Sequence, residues 1–163
     1  WLTRLLEFAA GLRIAVRLAR TGAGYGGHVQ AKGWGLRLEN RVAVDRWVDE
    51  LEIVLSVQAE PAEQFHLLAH EIGHALLGHL GRSDERVIPN RSALPPHVKE
   101  IEAESVAYLV CSDFGLEAFS QEYIALCRPE DSRLISAKQV IFTAAKIQRA
   151  ASGGYRRAVG DRA

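Results

Sequence analysis

The sequence has no methionine, and among its 163 residues there are only two cysteines, Cys111 and Cys127. Two thiols are too few for a disulfide framework and too far apart for a Cys-x-x-Cys metal clip, so a reducing compartment suffices. No apolar run approaches the roughly 18 residues that a bilayer span requires, and a membrane protein is not expected. Net charge is missing too. With 20 Lys+Arg against 20 Asp+Glu, nothing favours nucleic acid as the main partner. There is no internal repeat and no long low-complexity tract. The absence of methionine, with Trp1 as first residue, carries the expectation of a fragment whose full-length protein holds additional domains.

What remains is the composition of a soluble globular protein, 48% hydrophobic and 25% charged, expected in the cytoplasm. The opening "WLTRLLEFAAGLRIAVRLAR" is not a signal peptide, because Arg4, Glu7, Arg13 and Arg17 interrupt its apolar region throughout. It reads as an amphipathic helix ending in the glycine-rich joint "TGAGYGG". Gly22, Gly24 and Gly27 match the spacing of a phosphate loop. The strand-like "HVQAKGWGLRLE" that follows is not the helix such a loop needs. Leu36, Leu38, Val42 and Val44 alternate with polar residues around Asn40, and Leu51, Ile53, Leu55 and Val57 alternate again. Period two predicts two strands, taken as antiparallel. The chain divides into an N-terminal helix and joint (1–27), one domain (28–152) and a tail (153–163).

Next comes "HLLAHEIGHALLGH" at 66–79, four histidines and one glutamate in an apolar run. Pro61 and Glu63 mark the helix start, and the helix is expected to run to about Gly78. Residues four apart on a helix lie about 40° apart, so His70 and His74 project from one face and can hold one ion. In H-E-x-x-H the glutamate, here Glu71, is placed to take a proton from water rather than to bind the metal. The apolar residues around these imidazoles mark the helix as buried, and a buried helix has little use for them unless something binds them.

Two histidines leave zinc short of a protein ligand. His79 lies about 140° beyond His74 and past Gly78. The longer H-E-x-x-H-x-x-G-x-x-H pattern would need histidine where Leu80 stands. His66 reads as a rim or structural histidine. After the turn-rich segment 81–96, a second helix is expected from His97 to a stop at Gly115. Its "EIEAES" puts Glu100 and Glu104 on one face and Glu102 about 160° from Glu104. Ala103, Ala107 and Cys111 would let this helix approach the histidine helix closely, with Cys111 as packing. One carboxylate of the pair would ligate zinc while the other accepts the free N–H of a ligand histidine. Either can be the ligand. "SQEYIALC" reads as a short helix broken by Pro129, and "SAKQVIFTAAKIQRAA" as a final helix. The fold expected is α+β: a small N-terminal β-sheet, two site helices, and a helical C-terminal part.

"LAHEIGHALLGH", a loop, and "EIEAESVAYLVC" together resemble the ImmA/IrrE-like metallopeptidases, relatives of the glutamate-type zincins and similar to plasmid and phage antirestriction proteins. The likeness extends through "EYIALC" and covers roughly residues 50–150. It implies a zincin-like minimal core, with zinc on His70, His74 and Glu100, Glu71 as catalytic base, and Glu104 supporting a ligand. This chain has Glu104 where the family commonly has asparagine, which leaves the roles of the two glutamates exchangeable. The activity implied is zinc-dependent hydrolysis of a protein or peptide, a bacterial transcriptional regulator controlling stress, phage or mobile-element responses. Substrate would pair with a sheet edge beside the zinc helix. His97, Arg91 and Tyr123 are the candidates for the oxyanion or substrate contact. The alternative is a zinc-stabilised module that binds protein or DNA without cutting it, against which Glu71 argues; a non-peptide hydrolase is a third reading.

Overall fold

Leu5, Phe8 and Ala9 form one buried stripe of an N-terminal helix, α1 (Leu2–Gly11), as spacing of three and four residues requires. The computed structural model describes residues 1–20, 27–39, 42–81, 88, 90–116 and 128–154, with the backbone alone at 33–39, 42–47, 49 and 130. The single helix expected up to the glycine-rich joint is not what forms. Arg13 takes a left-handed backbone (φ 54°), the chain reverses, and Ile14–Ala19 becomes strand β1. The run is too short to separate the two periods. β-branched Ile14 and Val16 favour extended backbone, and pairing with a central strand decides the outcome.

That central strand is β3 (Val42–Ser56), which pairs antiparallel with β2 (Gly27–Glu39) and parallel with β1, in the order β1-β3-β2. The expected antiparallel pair is therefore present, with its partners differently divided. β2 ends at Glu39, and Val42 and Val44 share β3 with Leu51, Ile53 and Leu55. Val29 stands opposite Ile53, and Ile14 opposite Leu51. Leu51, Ile53 and Leu55 enter the core, while Glu52 between them takes Gln30 and Lys32 on the other face.

The helices pack on the sheet's apolar side. Pro61 opens α2 (Pro61–Leu76), with Glu63 in the first turn, and α3 (Pro96–Asp113) follows. A one-turn 3-10 helix (Pro129–Arg133) leads to α4 (Ala137–Ala151), capped by the Ser136 hydroxyl accepting from the Gln139 N–H. One core unites Phe8 of α1, Ile53 of β3, Phe65 and Ile72 of α2, Val106 of α3 and Ile147 of α4, so residues before 28 contribute to the same core. Ala103 of the expected small-residue stripe does meet the histidine helix closely. A Cβ added at Gly73 would lie 3.5 Å from Val106 and 3.6 Å from the Ala103 Cα, so α2 and α3 meet almost backbone to backbone. Cys111 is buried, and burial pushes its thiol up to about 12. Among the described residues, no helix is long and apolar enough to cross a membrane. Tyr123, Cys127 and the expected short helix at "SQEYIALC" lie outside the described residues, as does the tail from 155.

Candidate metal centre

The close contact at Gly73 sets α3 carboxylates opposite the α2 imidazoles. His70, His74 and Glu100 bring one ligand atom each to within 4.8 Å of one another. His70 Nε2 and His74 Nε2 are 3.0 Å apart, and the Glu100 carboxylate stands 3.4 Å from the first and 3.5 Å from the second. A tetrahedral ion held at about 2.0–2.1 Å from each donor sets its donors about 3.3 Å apart. The Nε2–Nε2 separation, and the distance from each imidazole to its own nearer Glu100 oxygen (Oε2 for His70, Oε1 for His74), lie near that figure. Two nitrogens and one carboxylate oxygen are also a donor set suited to zinc, and three protein ligands leave a fourth position open.

Both rings are held from behind. His70 Nδ1 lies 2.6 Å from Glu104 Oε2, and Glu104 Oε1 is 3.0 Å from His66 Nε2. An ionised carboxylate only accepts, so His70 donates from Nδ1, and Nε2 is the ring atom turned to the centre. His66, expected as a rim or structural histidine, is buried as the second partner of Glu104. The two carboxylates thus take different places: Glu104, 6% exposed, stands behind His70, whereas Glu100, 47% exposed, faces both Nε2 atoms.

The field favours a cation. Burial disfavours a charged His70, but Glu100 and Glu104 outweigh it and raise its pKa to about 10. His70 and His74 in turn hold the Glu100 carboxyl far below the usual carboxylate range. Burial lowers His74 and His79. Glu71 is buried beside the group, and burial pushes its carboxyl up to about 7 against the pull of His70. The Val29 main chain of edge strand β2 opposes that rise slightly, which places β2 close to the Glu71 carboxyl.

Other expected site residues have other partners. Arg91 turns inward, donating from Nη2 to Glu102 Oε1 (2.6 Å) and to the Leu134 carbonyl (3.4 Å). His97, 55% exposed, donates from Nε2 to Asp131 Oδ1 at 2.8 Å. Neither bond points to the centre. Two further residues join it that the sequence did not bring forward. His79 Nδ1 is 2.9 Å from His74 Nδ1, and His79 Nε2 is 2.9 Å from Glu102 Oε2. The rotation of about 140° applies only while the helix continues. It does not continue: Gly78 is left-handed (φ 78°), its N–H bonds the Ala75 carbonyl, and the His79 N–H bonds the His74 carbonyl. Those two bonds define a Schellman turn, which folds the second residue past the cap back over the last turn. The signal lay in "LLGH", where glycine follows the last helical residues.

Searches of protein-family models, of curated proteins and of solved structures found no match to this chain.

Proposed function

We propose that the chain is a zinc-dependent peptidase whose centre is His70, His74 and Glu100, with Glu71 as general base. The observation that carries this reading is Glu71 itself, buried beside three convergent ligand atoms without being one of them. A purely structural zinc site is closed by four protein ligands and needs no base. Zinc, when bound, supplies a Lewis acid that acidifies water and polarises a carbonyl.

The residues do the rest. Glu71 accepts a proton from the attacking water and returns it to the leaving amine. Burial keeps Glu71 out of bulk water, so the proton it takes is held next to the reacting bond. Strand β2 offers its outer edge next to Glu71, where an extended peptide adds as a further strand. Glu104 keeps the proton on His70 Nδ1 throughout.

The resemblance to ImmA/IrrE-like metallopeptidases makes a bacterial regulatory protein the proposed substrate and the cytoplasm the proposed compartment. Glu71→Gln is the test, because glutamine keeps the shape but cannot take the proton. Zinc content should be unchanged and hydrolysis of a mixed peptide library should fall about 100-fold or more. Equal turnover in both proteins, or none in the zinc-loaded wild type, would overturn the reading.

A further inference from the structure

His74 does not meet a carboxylate. Its Nδ1 faces the Nδ1 of another imidazole, His79, at 2.9 Å, and in such a pair one ring donates and the other accepts. Which one donates is decided one link further out. Glu102 Oε1 accepts from Arg91 Nη2 at 2.6 Å and from the Ser136 main-chain N–H at 2.7 Å. A carboxylate facing a guanidinium is ionised and only accepts, so the bond at Oε2 is donated by His79 Nε2–H. The proton of His79 is thereby placed on Nε2, and its Nδ1 carries a lone pair. His74 must then donate from Nδ1. Its own lone pair is left on Nε2, the atom that faces His70 Nε2 and Glu100.

We infer that His79 and Glu102 are positioning residues for the metal ligand His74, a two-link relay that fixes its tautomer and ring orientation from the end of the helix. The inference rests on the zinc-centre reading and adds residues to it. Three features show a built arrangement rather than a core pair that merely satisfies itself. The His79 and Glu102 side chains are 1% and 0% exposed, and burying an ionised carboxylate at zero exposure is costly unless each oxygen is bonded. Both oxygens are bonded, and to donors from separate parts of the chain: the end of α2, the segment before α3, and the cap of α4. The Gly78 turn that folds His79 back is also held from outside, since the Arg91 main-chain N–H donates to the Gly78 carbonyl at 3.0 Å. Arg91 therefore grips both ends of the relay, its backbone on the turn and its side chain on Glu102.

The relay makes the two histidine ligands unequal. An anion behind His70 gives its ring partial imidazolate character and strengthens it as a donor, whereas His74 leans on an uncharged ring and is the weaker donor. A hydrogen bond to a neutral acceptor is about half as strong as one to a charged acceptor.

The test uses the full chain loaded with zinc. Nitrogen-15 NMR of the histidine rings should show His79 protonated on Nε2 alone and His74 on Nδ1, coupled to His79 Nδ1. Competition with a chelator should show that His79→Phe, which fills the space without an acceptor, weakens zinc binding by about 10- to 100-fold. His79→Asn, whose Oδ1 stands near the former Nδ1 and can accept, should recover part of that loss. A His79 ring protonated on Nδ1 overturns the relay, as does wild-type zinc affinity in the phenylalanine protein. If neither variant folds, the ring spectrum of the wild type decides alone. A wild type that takes up no zinc overturns the metal centre itself; a wild type that binds zinc tightly while His79→Phe binds it equally well overturns only the relay.

Discussion

The two sides of the centre solve one problem by different means. On the His70 side a single residue, Glu104, reaches across from α3 and accepts directly from the ligand ring. On the His74 side the support passes through His79 to Glu102 and ends on Arg91 and the α4 cap. The difference follows from where the ligands sit. His70 lies in the middle of α2, facing α3, and Glu104 spans the gap. His74 lies one turn from the helix end, where the Schellman turn itself supplies a partner. A ligand in mid-helix can be held by the neighbouring helix, whereas one near a terminus depends on how the terminus is capped.

The largest effect should come from the carboxylates on the α3 side, which the comparison assigns opposite roles. Glu100→Gln should lose the ion. Glu104→Gln, which leaves His70 with a poorer acceptor, should weaken zinc binding about 10- to 100-fold without abolishing it. Chelator competition on the two proteins checks the order, and a reversed order would exchange their roles.

The other side should show its effect in stability as well as in zinc affinity. Burial would raise the pKa of Glu102, but His79, Arg91 and the Ser136 N–H outweigh it and bring it down from 4.5 to about 2. A carboxyl depressed in the folded state contributes stability that is complete above its unfolded pKa and is lost as pH falls through the folded one. Urea unfolding should therefore show a loss between about pH 4.5 and pH 2 that is missing in Glu102→Gln. At neutral pH, Glu102→Ala should cost about 3–5 kcal/mol, since Arg91 would be left buried without its partner. A pH profile identical in wild type and Glu102→Gln would show that the pair contributes nothing.

The same contrast separates what the sequence disclosed from what it concealed. His70, His74 and the α3 carboxylates follow from helical period, and the close approach at Ala103 follows from residue size, so their meeting was legible; Gly73 on the α2 side was not singled out. The small sheet ahead of the helices was legible from period two. Strand β1 was not, because "IAVRLA" fits helix and strand alike and only its pairing with β3 decides. The place of His79 was hidden for a related reason. Extrapolating the helix past Leu77 sends it away from His74, and only the left-handed Gly78 brings it back. Arg91 and His97 drew notice as charged groups near the site, yet their partners, Glu102 and Asp131, depend on tertiary placement that no local pattern encodes.

The most direct measurement of the central claim is anomalous diffraction at the zinc edge from crystals of the wild-type chain grown with the metal. One strong peak per chain is expected, bonded to His70 Nε2, His74 Nε2 and a Glu100 oxygen, with a coordination position left open toward Glu71. No peak at saturating zinc, or an ion closed off by a fourth protein side chain, would contradict it.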